Sequence, residues 1–369
     1  MTRFHTEAAA GVITGGSFGL EVVMDVFYGP ARTMQDVPLE DWSFSGDYDA
    51  KIKTAGTVVI AYQGDFADSI SPKEFTDALA PFGQEVRPYL VVTAGEFRER
   101  LPLGVYRIDE DPMADDVEVE FNGRVITHGS RVELSLLDRF HGVDVPSRTP
   151  EKPADLTSAW AELTRLARLP VTRTVPDVTI PRSITYARNR LEAVQQIAAL
   201  LGGRACMRSD GTVGVIPDEL GEPSIDLRIG DERGTILSVG NSMSSAGVYN
   251  AVYGDFEDAT GRGFHLEDWI RTGPLSIDGP FGERPIAFPD DQKEFIRSQS
   301  QARTALAGFL EQVSTIGPRE MPVSVVPDPR IEVGDVASLE RLSSTITGRV
   351  VKYTLAKDSA MQLTVRVAG

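Results

Sequence analysis

The stretch LEAVQQIAALLGGRACMRSDGTVGVIP (residues 191–217) decides the fold expected for the middle of the chain. Its first half predicts a helix, because apolar residues recur at three- and four-residue spacing: Leu191, Val194, Ile197, Ala198 and Leu201. Gly202-Gly203 can take the positive φ that ends a helix. Residues 204–207 and 212–216 predict two strands joined by the Ser209-Asp210-Gly211 turn, and Pro217 ends the second one. Together they indicate a small α+β unit.

Short strands with turns between them dominate the region before this unit. β-Branched and apolar residues, several alternating with polar ones, predict strands at 22–28, 57–62, 89–92, 105–108, 117–121 and 132–136. The polar residues Gln63-Gly64-Asp65 follow the second of these runs. Such a succession is typical of a sandwich or a barrel.

A proline-rich segment separates this β region from the middle unit. Residues 145–153 carry three prolines and no apolar periodicity, which predicts a linker. After it, apolar residues at helical spacing predict a second helix: Leu156, Ala159, Trp160, Leu163, Leu166 and Ala167. Trp160 falls on this apolar face, so we expect a core residue there and not a carbohydrate contact.

The β character returns after a second boundary at residues 220–223. Strands are predicted at 236–239, 248–254, 321–326, 349–355 and 361–367, with a glycine-rich excursion at 260–282. Residues 302–313 predict one long helix, with Gly317-Pro318 past its end. The expected fold is α+β and predominantly β, with two barrel or sandwich domains flanking a small α+β domain. The expected boundaries are an arm at 1–19, a β domain at 20–145, a linker at 146–153, the α+β domain at 154–218 and a second β domain at 219–369.

Composition limits the possible functions. The chain has 369 residues and a net charge of −17, from 54 acidic and 37 basic residues, which disfavours tight nucleic-acid binding. No apolar run approaches the roughly 18 residues that a membrane span needs, and glycines interrupt any signal-peptide core near the N-terminus. Cys206 is the single cysteine, and its strand position predicts a buried thiol.

Residue patterns for catalysis, metal or cofactor binding are not convincing. The G-x-S-x-G match at Gly15–Gly19 lacks the strand before it and the helix after it that a nucleophile elbow needs. His5, His128, His141 and His265 show no metal-ligand spacing. Clustered carboxylates are interpreted as solvated loop charge: Asp109-Glu110-Asp111, Asp115-Asp116, Asp255 with Glu257 and Asp258, and Asp290-Asp291. We therefore predict no catalytic, cofactor-binding or metal-binding residues.

Aromatic residues leave one interpretation open. Trp42-Ser43-Phe44 has the composition of a carbohydrate platform. Phe264 and Trp269 lie in the glycine-rich excursion, where an exposed contact is more plausible than for Trp160.

Taken in order, four segments resemble a phage tail hub protein of the baseplate or tail-tip hub family, as in siphophage minor tail proteins of actinobacterial phages. The first is residues 79–86 with residues 101–108, and the second is residues 191–215. The third is Asn250-Ala251-Val252-Tyr253-Gly254 with the helix opening at residues 301–305. The fourth is Val333-Gly334-Asp335-Val336 with residues 348–355 and the terminal hairpin.

The resemblance implies a structural virion protein without enzymatic activity, made in the host cytoplasm and placed at the tail tip. It implies a homotrimer whose two tail-tube-like β domains alternate around a pseudo-sixfold ring, so that three copies match a sixfold partner. The implied partners are the distal tail protein ring, the C-terminus of the tape-measure protein and other minor tail proteins or fibres. Genomic DNA would pass through the ring without specific binding.

Two other functions stay open. One is a tail-associated cell-wall hydrolase with Asp255 or Glu257 as acid and nucleophile. The other is a host-carbohydrate-binding tail protein built around residues 260–282. Relatives carry enzymatic or fibre modules after the hub, and this sequence stops at Gly369 directly after its final strand, so we expect no enzyme there.

Overall fold

The structure is a computed structural model that describes residues 3, 5–15, 18–62, 69–109, 112–121, 124–147, 152–230, 234–240, 245, 247–293, 296–314, 319–341 and 344–367. The chain forms two compact units. The first comprises Met1–Gly240 with Pro322–Val365, and the second comprises Asn241–Met321 with Arg366–Gly369. Within the described part of the chain, no helix is both long enough and apolar enough to cross a bilayer.

The elements follow one another in this order along the chain. The N-terminal part contains α1 (Glu7–Thr14), β1 (Gly19–Tyr28), β2 (Ala31–Pro38), β3 (Asp41–Asp47), β4 (Thr54–Tyr62), β5 (Gln84–Ala94), β6 (Phe97–Pro102), β7 (Tyr106–Ile108), β8 (Met113–Phe121), β9 (Arg124–Asp138) and a 3-10 turn (Arg139–Gly142). The middle part contains α2 (Ala159–Ala167), α3 (Arg190–Leu200), β10 (Gly203–Met207) and β11 (Val213–Pro217). The C-terminal part contains β12 (Ile225–Arg228), β13 (Ile236–Val239), β14 (Ala251–Glu257), β15 (Gly263–Trp269), β16 (Pro285–Ala287), α4 (Asp290–Lys293), α5 (Gln299–Ser314), β17 (Arg319–Val325), β18 (Val336–Arg341), β19 (Ser344–Ala356) and β20 (Met361–Val367).

Fifteen strands form one large, mostly antiparallel sheet. Their order is β13-β17-β20-β19-β3-β4-β9-β7-β5-β1-β2, and β18, β12, β6 and β8 branch from this path. Among the described strands, the two at its ends, β2 and β13, do not pair with each other, so the sheet is not a closed barrel. The expectation of a predominantly β, α+β fold is confirmed.

The sheet joins strands that are far apart in sequence. β3 pairs antiparallel with β19, and Phe44 lies opposite Leu355. On its other side, β3 pairs with β4, which in turn pairs with β9. The N-terminal and C-terminal β segments therefore cover one strand edge of each other within a single chain.

The predicted α+β unit is confirmed almost residue for residue. α3 begins after Asn189, whose side chain accepts a hydrogen bond from the Glu192 N–H, a standard N-cap. Gly202 follows the helix with φ +78°, and β10 then pairs with β11 from Gly203 to Met207. The α2 and α3 helices and this hairpin share one core, in which Trp160 is 1% exposed. Trp160 is thus a core residue, as predicted.

Several elements have no counterpart among the sequence expectations. The predicted arm contains the helix α1, in which Ala9 and Ile13 are buried. The first half of the glycine-rich excursion contains the strand β15. Residues of β15 alternate between exposed and half-buried, and seven of them pair with β14. The predicted features at Gly16-Ser17, Gln63-Gly64-Asp65, Glu110-Asp111, residues 148–151 and Gly317-Pro318 lie outside the described residues.

The second compact unit is built on a three-stranded sheet in the order β15-β14-β16. The predicted long helix is confirmed as α5. Its buried residues Ala302, Leu306 and Leu310 share a core with Val252 and Phe256 of β14. Phe264 stacks on Phe256 with ring centroids 5.8 Å apart, so Phe264 belongs largely to this core.

Candidate assembly surfaces

Two phenylalanines project together from the loop between β4 and β5. Phe75 is 68% exposed and Phe82 is 56% exposed. Their rings meet edge to face with centroids 4.7 Å apart. We call this pair the aromatic knob. Exposed phenylalanines that touch each other are unusual on a surface facing only water, since burying each would contribute roughly 1.5–3 kcal/mol.

A buried glutamine holds the backbone that carries the aromatic knob. Gln84 is fully buried, and its side-chain amide donates to the carbonyls of Phe75 (3.0 Å) and Asp77 (2.8 Å). Its side-chain oxygen accepts from the Phe82 N–H at 2.9 Å. One side chain therefore ties both phenylalanines to the start of β5, and Leu79 of the same loop is anchored in the core.

A carboxylate on β8 binds two serines of the same loop. Asp116 accepts hydrogen bonds from the hydroxyls of Ser69 (2.7 Å), Ser71 (2.6 Å) and Ser130 (2.7 Å). These bonds lower the pKa of Asp116 to about 2. The interpretation of Asp115-Asp116 as solvated loop charge is therefore wrong for Asp116, which is a structural acceptor, although Asp115 is exposed.

An open groove with a mixed lining lies elsewhere on the same unit. It has a volume of about 690 Å³; its apolar lining includes Leu20, Val22, Trp42, Leu237, Val326 and Pro327, and the charged residues Glu21, Lys357 and Asp358 also line it. Leu237, on the edge strand β13, is 60% exposed. Lys357 lies at the groove, and its Nζ donates to the Glu40 carbonyl at 2.6 Å. Trp42 and Phe44 are 6% and 1% exposed, which excludes the broad carbohydrate platform that their sequence suggested.

The outer face of the β14–β15 hairpin carries polar and aromatic residues. His265 Nδ1 lies 2.7 Å from Asp255, and its Nε2 lies 3.0 Å from Glu267. The hydrogen bond to Asp255, and to a smaller extent the one to Glu267, raises the pKa of the His265 side chain. The Asp255 side chain is 84% exposed on this open face, and Glu257 is exposed on the same strand. Neither carboxylate considered for the hydrolase alternative lies in an enclosed site.

Trp269 and Tyr253 line a groove of about 470 Å³ at one end of this hairpin. The Arg271 guanidinium lies 5.0 Å from the Trp269 ring centroid. Tyr253 is 41% exposed. Trp269 is half-buried at this groove, so an aromatic contact there stays a prediction, whereas Phe264 packs against the core.

Arg3 is buried in the first unit. The Arg3 guanidinium donates to the Pro329 carbonyl at 2.9 Å and to the Tyr353 hydroxyl at 3.3 Å, and lies 3.5 Å from Glu332. Arg3, Glu332, Tyr353 and Cys206 line a small cavity of about 40 Å³. The cavity has room for about one water molecule and is too small for a substrate or cofactor.

No group of three or more His, Cys, Asp or Glu side chains is placed to hold a metal ion in the described part of the chain. The serine of the G-x-S-x-G match, Ser17, lies outside that part. Sequence reasoning missed the aromatic knob, because a pair of exposed phenylalanines seven residues apart in a loop has no periodic pattern.

No family model matches the chain, and no curated protein matches its sequence. Its fold, however, occurs in solved structures. The chain is similar to the tail protein from Neisseria meningitidis MC58, with 12% identity and a TM-score of 0.52 over 95% of this chain and 97% of that one. It is also similar to the 43 kDa tail protein of prophage MuSo2 from Shewanella oneidensis, with 10% identity and a TM-score of 0.54 over 94% and 98% of the two chains. A chain of the lidded PdpA–VgrG complex of Francisella matches with 8% identity and a TM-score of 0.52, over 96% of this chain and 53% of that one. Over nearly its whole length, this chain has the fold of phage tail proteins.

Proposed function

We propose that the chain is a structural virion protein that forms the hub at the tip of a phage tail and closes the distal end of the tail tube. The observation that carries the proposal is the end-to-end match to two tail proteins, which covers at least 94% of each chain. In this role the protein organises neighbouring proteins and has no catalytic turnover.

In this proposal three copies form a ring. The tube-like β domains at 20–145 and 219–369 alternate around it, and the linker at 146–153 and the α+β domain at 154–218 lie between them in sequence. Because each copy supplies two β domains, a trimer presents six similar units to the sixfold distal tail protein. The pairing of β3 with β19 supports a close association of the two β segments within one copy.

The ring surrounds the exit path of the genome. A net charge of −17 repels phosphates, so DNA can slide past without specific binding. The C-terminus of the tape-measure protein would lie in this channel, and other minor tail proteins or fibres would attach below it. The location that follows is the virion tail tip, after synthesis in the host cytoplasm.

Light scattering coupled to size-exclusion chromatography tests the assembly directly. We expect three times the mass of the chain for the protein alone, or a larger complex that contains three copies of it after mixing with the distal tail protein. Gold-labelled antibody against the chain should mark the tail tip in electron micrographs of virions. A protein that stays monomeric under both conditions, or label elsewhere on the particle, would contradict the proposal.

A cell-wall hydrolase would behave differently. Zymography on host peptidoglycan should show no clearing by the wild-type protein. Clearing that is abolished by Asp255→Asn or Glu257→Gln, but not by Asp290→Asn, would replace the structural role by an enzymatic one. Asp290 is a matched control because its side chain is also exposed, at 94%.

Carbohydrate binding is a second candidate function, favoured by Tyr253 and Trp269 at the groove of the β14–β15 hairpin. Aromatic rings beside carboxylates can hold the faces and hydroxyls of a sugar. Binding of purified protein to host cell walls should then be lost in Trp269→Ala and retained in Phe75→Ala. Equal retention of both variants would remove this candidate.

A further inference from the structure

The loop that joins α2 to α3 is long and irregular. Its 22 residues, 168–189, form neither a helix nor a strand longer than an isolated bridge. Loops of more than about 12–15 residues without secondary structure are uncommon in compact domains, and they are usually either disordered or functional. The hydrogen bonds of this loop decide between the two.

Hydrogen bonds fix the loop to the rest of the α+β unit. The Thr174 hydroxyl donates to the Val215 carbonyl at 2.7 Å and accepts from the Val215 N–H at 2.9 Å. The Ile180 N–H donates to the Leu156 carbonyl at 2.9 Å, and the Ile180 side chain is buried. A loop held in this way loses little conformational entropy when a partner docks on it, which favours a binding surface.

Arginines dominate the charge of this part of the chain. Residues 165–190 hold six of the 37 basic residues of the protein and one of its 54 acidic residues, Asp177. The Asp177 carboxylate binds the start of α2, where it accepts from the Ser158 hydroxyl at 2.6 Å and from the Trp160 N–H at 3.2 Å. In a chain with a net charge of −17, this stretch is a local excess of positive charge.

Three arginines of the loop have no partner for their side chains. Arg168, Arg182 and Arg188 are exposed, and their guanidinium groups make no hydrogen bond or ion pair with any residue that the structure describes. A fourth, Arg173, is 65% exposed and lies 4.0 Å from Asp177. Exposed apolar side chains lie between these arginines in sequence: Pro176, Val178 and Pro181.

Carboxylates on the neighbouring segments are already engaged. The ion-pair distances are 2.9 Å for Glu162 with Arg165, 2.6 Å for Asp144 with Lys51, 3.7 Å for Glu192 with Lys51 and 4.0 Å for Asp210 with Arg208. Asp155, before α2, accepts from the Thr157 hydroxyl at 2.6 Å. The arginines of the loop are therefore available to carboxylates of another molecule.

We propose that residues 168–189, the arginine loop, bind an acidic segment of another protein. Guanidinium groups pair with carboxylates through charge-assisted hydrogen bonds, and arginines beside apolar area are typical of protein interfaces. Duplex DNA fits less well, because a long polyanion would extend past the loop over a chain that is strongly acidic elsewhere. The contact goes beyond the proposed hub role, which assigns no surface to a partner, and it does not require a trimer.

Fluorescence anisotropy with a labelled octaglutamate peptide tests the loop on the full chain. Wild type should bind saturably, and the combined variant Arg168→Ala, Arg173→Ala, Arg182→Ala and Arg188→Ala should raise the Kd about tenfold. Arg182→Ala with Arg188→Ala alone should raise it about threefold. A labelled DNA duplex of about 20 base pairs, about 68 Å long, should bind more weakly than octaglutamate.

The matched control changes the net charge equally outside the loop. It combines Arg98→Ala, Arg262→Ala, Arg303→Ala and Arg319→Ala, all at exposed positions, and it should keep the wild-type Kd. Arg98 matches Arg173 closely, since its side chain is also 65% exposed and lies 4.0 Å from a carboxylate, that of Glu21. Thermal midpoints of all variants should match wild type, because every substituted side chain is exposed.

The outcomes separate this contact from the hub role. Equal weakening in the loop and control variants, or no saturable binding of octaglutamate to wild type, overturns the arginine loop as a binding surface. Tighter binding of the duplex than of octaglutamate, lost in the loop variant, assigns the loop to phosphates and overturns the acidic protein partner. A chain that never forms a trimer but binds octaglutamate through the loop overturns the hub and leaves this contact in place.

Discussion

Phe44 on β3 lies directly opposite Leu355 on β19, and the two side chains are 1% and 0% exposed. More than 300 residues of sequence separate them, yet they form one cross-strand pair in the core of the large sheet. Such pairs are the units that stabilise a sheet. This one makes the N-terminal and C-terminal β segments depend on each other for stability.

Leu355→Ala is therefore expected to lower the free energy of unfolding by about 2–5 kcal/mol, because it leaves a cavity in a packed core. Urea denaturation followed by circular dichroism measures the loss. Thr354→Ala, at the adjacent and exposed position of β19, is the control and should change stability by less than about 0.5 kcal/mol. Equal effects of the two substitutions would show that the β3–β19 junction is not a core contact.

The same pair shows what the sequence could and could not predict. The helix α3 and the β10–β11 hairpin were predictable because their apolar spacing, Gly202 and turn residues act locally. The partner of β3 was not, because strand pairing across the chain leaves no local pattern. β2 was missed because Arg32, Gln35 and Asp36 make it polar, as suits an exposed edge strand.

At the candidate surfaces, too, contacts between residues far apart in sequence could not be predicted. The sequence predicted no catalytic, cofactor-binding or metal-binding residues, and this stays a prediction. The aromatic knob could not be foreseen, because the contact between Phe75 and Phe82 depends on the loop conformation that Gln84 helps to hold. Asp116 was likewise misjudged, since the serines that bind it come from two distant segments.

Gln84→Ala should loosen the aromatic knob without unfolding the sheet. The substitution leaves the carbonyls of Phe75 and Asp77 without their donor, at a cost of about 1–3 kcal/mol. Hydrogen exchange should become faster over residues 73–83 and stay unchanged in β4 and β5. Gln35→Ala, at an exposed position of β2, is the matched control. Unchanged exchange in the loop would contradict the role given to Gln84.

Acid should lower the stability of the folded protein, because it protonates the Asp116 carboxylate. Its folded-state pKa of about 2 lies below the usual value of about 3.9, so the carboxylate stabilises the fold above pH 4. This contribution is lost as the pH falls from about 4 toward 2. Thermal midpoints across this range should fall less steeply in Asp116→Asn than in wild type, whereas Asp115→Asn should follow wild type. Parallel curves for all three proteins would refute the assignment.

The contribution of Asp335 to stability should change with pH in the opposite direction and over a different pH range. Burial raises the pKa of this side chain to about 7, so the folded protein keeps a proton that the unfolded chain loses near pH 4. Stability from this group is therefore complete below pH 4 and declines as the pH rises toward 7. Asp335→Asn should remove that decline, and Asp226→Asn, exposed on β12, should not. A wild-type midpoint that rises steadily from pH 4 to 7, unchanged in Asp335→Asn, would be the opposite result.

Cys206 should be unreactive while the first unit is folded. The side chain is 6% exposed on β10, and burial raises the pKa of its thiol to about 12, so almost no thiolate exists at neutral pH. A thiol-specific chromogenic reagent at pH 8 should label the native protein only at the rate of unfolding, and should label it fully in urea. A Leu355→Ala variant should be labelled faster than wild type, because the destabilised sheet opens more often, while Thr354→Ala should keep the wild-type rate. Rapid labelling of the native wild type would mean that the face of β10 that carries Cys206 is accessible in the folded protein.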